Sequence, residues 1–316
     1  MRNRRVMAVK SGGEAGLAEF RAAFAGLDPM LDLVRWEEAL GAPETVDYAL
    51  VWDPGPGELA RFPHLRVIFG AGAGVDLITA DPDWPRHIPL MRMATPEAAQ
   101  RMGEFCCWAV LSLLKNARRM AIAQAKGAWD YFEAPGRAEL TPVGIMGLGA
   151  MGARSAAMLR ALGFPVLGWS RTRKELPGVE SFAGAAALPE FLGRCRMLVC
   201  LLPATPETRH IIRAETLALL PEGAGYVGAG RGMQQRLEDV LAALDSGRLS
   251  GAVLDVFEPE PLPAGHPLWS HPKATITPHV ASLPTRAERA AHVARAIAAF
   301  ERGEALTNLY DPARGY

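Results

Sequence analysis

Val143-Gly144-Ile145-Met146-Gly147-Leu148-Gly149-Ala150-Met151-Gly152 reads as a buried strand that turns through glycines into a helix. Gly147, Gly149 and Gly152 have the spacing GxGxxG of a dinucleotide-binding turn. In such a turn the first glycine permits the tight bend. The second lets a pyrophosphate approach the backbone, and the third lets the helix pack close to the strand. The helix that follows, through Leu162, would offer its N-terminal N–H groups to the phosphates. About 140 residues precede the turn, one domain's worth.

On the C-terminal side, short apolar runs alternate with helical stretches. Strands are expected at Pro165–Trp169, Met197–Leu202, Gly225–Val227, Gly251–Leu254 and Ala274–Thr277. Helices are expected at Glu215–Leu220 and Leu237–Ser246. On the N-terminal side, Arg5–Val9, Tyr48–Trp52 and Val67–Phe69 read as strands and Ala15–Ala25 as a helix. Glu97–Met120 reads as one long helix, with Pro96 at its first position and Thr95 as cap. Its apolar content exceeds one narrow stripe, which suits a helix buried between domains or between subunits. Thr285–Arg302 is a last helix that returns to the first domain.

The fold class expected is therefore α/β, with two Rossmann-like domains, each on a parallel sheet. The nucleotide-binding domain, residues 97–282, is inserted into a flavodoxin-like substrate domain built from residues 1–96 and 283–316.

Composition narrows the function. The chain has 316 residues, with 34 basic and 34 acidic side chains and a net charge of zero. That balance carries no footprint for nucleic acid. The apolar runs stop short of a membrane span. The basic stretch Met1–Lys10 leads into no long apolar region and no cleavage site, so the expected compartment is the cytoplasm. Cys106, Cys107, Cys195 and Cys200 have no metal-ligand spacing and read as buried apolar thiols. Neither a metal nor a disulfide is expected.

The end of the second strand of a Rossmann unit selects the cofactor. Here it is Gly168-Trp169-Ser170-Arg171-Thr172-Arg173-Lys174, with no carboxylate for a ribose 2′-hydroxyl. Arg171, Arg173 and Lys174 suit a 2′-phosphate, and Ser170 adds a hydroxyl; Arg171 can clamp the phosphate bidentately. NADPH is expected over NADH.

Three later segments put ionisable groups at strand ends: Gly228-Ala229-Gly230-Arg231-Gly232, the run from Leu254-Asp255 to Pro263, and Ile276-Thr277-Pro278-His279-Val280-Ala281-Ser282. Together, in this order after GxGxxG, they resemble the D-isomer-specific 2-hydroxyacid dehydrogenases. The segment Trp169–Lys174, the run Leu201–Thr208, Pro177–Gly184 and the terminal Ala313-Arg314-Gly315-Tyr316 are most similar to the bacterial glyoxylate/hydroxypyruvate reductase A group.

The resemblance implies NADPH-linked reduction of small 2-keto acids: glyoxylate to glycolate, hydroxypyruvate to D-glycerate. Arg231 then resembles the substrate arginine, Glu260 the acid paired with histidine, and His279 the proton donor. Each role also has a chemical rationale. Arg231 offers a planar fork for carboxylate and carbonyl oxygens. His279 can give a proton near neutral pH, and Glu260 would orient its ring and favour the imidazolium. Glu258 competes with Glu260; Glu260 is preferred because it directly precedes Pro261-Leu262-Pro263. The remaining histidines (64, 87, 210, 266, 271 and 292) read as structural or exposed.

The resemblance further assigns Gly147, Gly149, Ala150, Met151, Gly152, Leu202, Pro203, Ala229, Gly230, Asp255 and Ser282 to the cofactor, Asp255 facing the nicotinamide amide. It assigns Gly72, Ala73 and Gly74 to the substrate, where small residues would let backbone N–H groups form an anion nest. Trp52 reads equally as a wall of the substrate pocket or as a core residue. At Gly228 the family usually carries Asn; glycine removes that side chain and loosens the loop bearing Arg231. A homodimer through the nucleotide domain, along Glu97–Met120, is implied as well. Two other functions compete: reduction of a bulkier 2-keto acid, and dinucleotide sensing of the kind known in the C-terminal-binding-protein corepressors.

Overall fold

The computed structural model describes residues 4–133 and 136–316. Residues 1–3 of the basic N-terminal stretch lie outside the described residues. The chain divides into two compact units: Met1–Ala98 with Pro284–Tyr316, and Ala99–Leu283. Among the described residues, no helix is long and apolar enough to cross a membrane.

The first unit is built on a parallel sheet of β1 (Arg5–Lys10), β2 (Leu31–Arg35), β3 (Tyr48–Val51), β4 (Val67–Gly70) and β5 (Leu90–Met91), in the order β2-β1-β3-β4-β5. Strand periodicity decides what lies on each face. Met7 and Val9 join the core beneath α1 (Gly13–Ala25) and α10 (Arg286–Glu301), with Phe20, Phe24, Val293 and Ile297. Ala8 faces the other way, into a core with α2 (Trp36–Gly41) and α3 (Asp76–Thr79). β2 and α2 escape the sequence reading. β2 is an edge strand in which apolar and charged residues mix, and Trp36 belongs to a helix of only six residues.

The long helix expected over Glu97–Met120 is two helices: α4 (Pro96–Leu114) and α5 (Ala117–Ala125). The break falls at Asn116, which takes the left-handed conformation at φ 53°. Asn is one of the few residues besides Gly that tolerate it. Thr95 does cap α4, accepting from the Ala98 N–H at 3.1 Å. The buried stripe of α4, Met102, Cys106, Ala109, Val110 and Leu114, packs on the sheet of the second unit.

That sheet has seven parallel strands in the order β12-β11-β10-β9-β6-β7-β8. They are β6 (Val143–Met146), β7 (Val166–Ser170), β8 (Val179–Ala183), β9 (Met197–Cys200), β10 (Ala224–Gly228), β11 (Leu249–Leu254) and β12 (Ala274–Ile276). Every residue of β6, β9 and β10 is buried, as expected for strands covered on both faces. β8 again escapes the sequence reading because it is an edge strand of mixed residues in which only Phe182 is buried. α6 (Ala150–Ala161), α7 (Leu188–Gly193), α8 (Ala214–Leu217) and α9 (Leu237–Asp245) connect the strands. Strand order reverses between β6 and β9, and at such a switch point an open α/β sheet leaves a crevice at its carboxyl end. Cys106, Cys195 and Cys200 are buried free thiols, each pushed up to about 12 by burial, whereas Cys107 is half-buried.

Candidate active site

The glycine turn stands at this switch point. Gly147 follows β6 with φ 100°, and a Cβ there would lie 2.8 Å from the carbonyl oxygen of Leu201 after β9. Gly147 therefore serves both the bend and the close approach of the two strand ends. A Cβ at Gly152 would fall inside the van der Waals surface of the Gly147 carbonyl oxygen, so only glycine lets α6 sit this close to the turn. Gly149 has open space where its Cβ would stand. Ala150 and Met151 begin α6, and Met151 Sδ accepts from the Ser282 hydroxyl at 3.7 Å. An open glycine at the N-terminus of a twelve-residue helix fits a dinucleotide pyrophosphate.

The basic turn follows β7. Arg171, Arg173 and Lys174 are exposed. Ser170 is buried, and its hydroxyl donates to the Thr172 carbonyl at 2.8 Å. Ser170 thus shapes the turn from within, while the cations line its outside.

Arg231, Glu260 and His279 come together at the carboxyl end of the same sheet. His279 Nδ1 lies 2.8 Å from Glu260 Oε2. The other oxygen, Oε1, accepts from the Phe257 N–H at 2.8 Å. Burial acts to raise the Glu260 carboxyl. The hydrogen bonds from His279 and Phe257, with the charges of His279 and Arg231, outweigh it and hold the carboxyl below its usual range. The carboxylate that reaches His279 is thus Glu260. Glu258 turns to Arg209, with its oxygens 3.2 and 3.3 Å from that guanidinium.

His279 has φ 54°, a conformation that side chains other than Gly, Asn and Asp adopt at a cost. Asp255 holds it there. Its carboxylate is buried and accepts from the Thr277 hydroxyl (2.5 Å) and the N–H groups of Val280 (3.0 Å) and Ala281 (3.0 Å). Its carbonyl accepts from the His279 N–H at 2.9 Å. The Asp255 carboxylate, expected to face a nicotinamide amide, is directed at the loop that carries His279.

Gly228 does not loosen the Arg231 loop. A Cβ at this position would lie 2.7 Å from Gln235 Oε1 and 2.9 Å from the Tyr226 hydroxyl. The volume of the family's usual Asn side chain is therefore occupied. The Tyr226 hydroxyl donates to Gln235 Oε1 at 2.8 Å, and Gln235 Nε2 donates to the Val256 carbonyl at 2.8 Å. Gln234 ties Arg231 to the Leu202-Pro203 turn. Sequence reasoning missed both glutamines; two adjacent amides just after Arg231-Gly232, with no other polar reason to be buried, were the available signal.

In the first unit, Trp52 follows β3 and Gly72 follows β4. The Trp52 ring occupies the space a Cβ on Gly72 would need, and Val75 does the same at Gly70. Gly70, Gly72 and Gly74 are not among the described glycines with positive φ. The loop is small for close packing, not for left-handed backbone. Its carbonyls serve the chain: Gly72 accepts from the Met93 N–H and Ala73 from Arg92 Nε, both at 2.9 Å. Trp52 is half-buried against the core of this unit.

Residues 107–281 match the family model for the D-isomer specific 2-hydroxyacid dehydrogenase, NAD binding domain. Solved structures match over nearly the whole chain. A D-isomer specific 2-hydroxyacid dehydrogenase from Xanthobacter autotrophicus Py2, in complex with NADPH and MES, is 40% identical with a TM-score of 0.90. An NADPH-dependent glyoxylate/hydroxypyruvate reductase from Sinorhizobium meliloti, with NADP and sulfate, is 37% identical, also with a TM-score of 0.90. A probable 2-hydroxyacid dehydrogenase from Rhizobium etli CFN 42, with NADP, HEPES and L(+)-tartaric acid, is 35% identical with a TM-score of 0.89. Each alignment covers 99% of this chain and 100% of the other. Matched by the family model across more than half its length, and by solved members from end to end, the chain belongs to the D-isomer-specific 2-hydroxyacid dehydrogenases, oxidoreductases dependent on NAD(P).

Proposed function

We propose that this enzyme reduces small 2-keto acids, glyoxylate and hydroxypyruvate among them, with NADPH as reductant. The observation that carries the reading is the 2.8 Å pair of His279 and Glu260, with the charge of Arg231 beside it, at the strand ends next to the glycine turn. The relatives crystallised with NADPH or NADP, one of them a glyoxylate/hydroxypyruvate reductase, support it.

Gly147, Gly149, Ala150, Met151, Gly152, Leu202, Pro203, Ala229, Gly230 and Ser282 are the cofactor-binding residues in this proposal, while Asp255 holds the His279 loop beside them. Arg171, Arg173 and Lys174 would take the 2′-phosphate at the Ser170 turn. Bound there, the cofactor supplies a hydride from its nicotinamide C4. The chain does the rest. Arg231 presents its planar fork to the substrate carboxylate and polarises the carbonyl. A carboxylate at neutral pH can only accept, so Glu260 fixes the hydrogen of His279 on Nδ1. Nε2 of the imidazolium then carries the proton for the carbonyl oxygen. Hydride on carbon and proton on oxygen turn glyoxylate into glycolate and hydroxypyruvate into D-glycerate. Trp52, Gly72, Ala73 and Gly74 are assigned to substrate binding on the family resemblance. A homodimer through the nucleotide-binding unit also belongs to this proposal. Its candidate surface is the exposed face of α4 at Trp108, near Val280 and Leu283.

Initial rates with NADPH and with NADH, against glyoxylate, hydroxypyruvate, pyruvate and a branched 2-keto acid, test this reading. NADPH-linked turnover of the first two is expected. Turnover of the branched acid alone would move the substrate, and tight NADPH binding without any turnover would refute reductase activity.

A further inference from the structure

The carboxamide of Gln234 is buried, 1% exposed, between two loops that the proposed chemistry needs in register. Its Nε2 donates to the carbonyls of Leu202 (2.5 Å) and Pro203 (3.0 Å), in the turn after β9. Its Oε1 accepts from the Arg231 N–H at 3.0 Å and from the Cys200 thiol at 3.4 Å. These partners fix the orientation of the amide, because carbonyls need its nitrogen and the N–H needs its oxygen. Both amide hydrogens and the oxygen are engaged. Gly230 makes the approach possible: any Cβ there would overlap Gln234 Oε1 and lie 3.0 Å from the Leu202 carbonyl oxygen.

We propose that Gln234 is the positioning residue for Arg231, setting the loop that carries the guanidinium against the Leu202-Pro203 turn. The proposal rests on the reading of Arg231 as the substrate's carboxylate fork. A buried, fully satisfied amide has one low-energy arrangement, so it transmits position rather than merely adding stability. An apolar side chain in its place leaves the Leu202 and Pro203 carbonyls and the Arg231 N–H without this partner. The Arg231 loop and the turn after β9 are then free to drift relative to each other. Drift of about 1 Å at a substrate-positioning group costs on the order of a hundredfold in rate.

A double-mutant cycle with glyoxylate and NADPH tests this. Gln234→Leu is expected to lower kcat/KM by about 10- to 100-fold in the native background. In an Arg231→Ala background it should cost within about twofold, because the group it positions is gone. Gln234→Asn, one methylene shorter but with the same donors and acceptor, keeps the test available if the leucine variant does not fold. Its loss too should shrink in the Arg231→Ala background. Tyr226→Phe is the control for a merely structural role. It removes a buried hydroxyl bond to Gln235 in the same layer and should lower Tm without changing KM. Equal losses in both Arg231 backgrounds, or a lowered Tm with kcat/KM retained, would overturn the proposal. Full activity of Arg231→Ala alone would instead refute the reading of Arg231, and this inference with it.

Discussion

Replacing Glu260 by Gln removes one charge and leaves the shape of the site nearly intact. Glu260 makes two 2.8 Å hydrogen bonds, to His279 Nδ1 and to the Phe257 N–H. The glutamine keeps its oxygen toward the Phe257 N–H, so its amide nitrogen faces His279. Two donors cannot share that bond, and the ring must give up its hydrogen at Nδ1. A hydrogen bond to a charged group contributes about 1.5–3 kcal/mol. Glu260 keeps 35% of its side chain in water, which favours the lower part of that range. About 1.5–2 kcal/mol corresponds to about a 10- to 30-fold fall in kcat/KM. The assay is the initial rate of NADPH consumption with glyoxylate across pH, with NADPH affinity measured separately by fluorescence. Affinity should hold while the alkaline limb of the profile moves to lower pH. Activity within twofold of the native enzyme, with an unchanged pH profile, would refute the role given to the pair. A lowered carboxyl pKa also has a stability consequence. The contribution of Glu260 is present above the unfolded carboxylate pKa and is lost as pH falls through the folded value.

Gly152→Ala drives a methyl into the Gly147 carbonyl, so stability in a denaturant melt should fall by about 1–3 kcal/mol and NADPH affinity should weaken; native values for both would contradict the close approach of α6. Arg171→Ala combined with Arg173→Ala should weaken NADPH by about tenfold and leave NADH nearly unchanged, read by titration of each cofactor. An equal loss for both would mean that the turn does not read the 2′-phosphate. Burial, with help from Arg295 and against Glu97, lowers the pKa of His292 from its ordinary 6.5. The unfolded chain therefore binds the proton first, and stability is lost as pH falls from about 6.5 through the folded value. His292→Gln should flatten that part of the Tm-against-pH curve, and an unchanged slope would rule the histidine out as its source.

The strands buried on both faces were legible in the sequence because burial leaves them as unbroken apolar runs, as in Val143–Met146 and Met197–Cys200. β2 and β8 were not, because an edge strand exposed to water carries mixed residues and loses that signature. The break in the long helix hung on one Asn in a left-handed conformation, which helical periodicity does not register. At the site, the glycine spacing, the basic turn and the histidine in its Thr277-Pro278-His279 setting are local features, and local features survive in a linear text. Which acid reaches His279 is not local: Glu258 and Glu260 differ by two positions, and only the folded loop sends one to Arg209 and the other to the ring. Gly228 makes the same point in reverse. In the sequence it is a missing side chain, while in the structure Tyr226 and Gln235 fill its place and Gln234 secures the loop beside it. Periodicity and spacing along the chain are enough to read the layers, the glycine turn and the inventory of reactive groups. The partners come only with packing, because a buried amide or carboxylate takes whichever donors and acceptors the fold brings within about 3 Å.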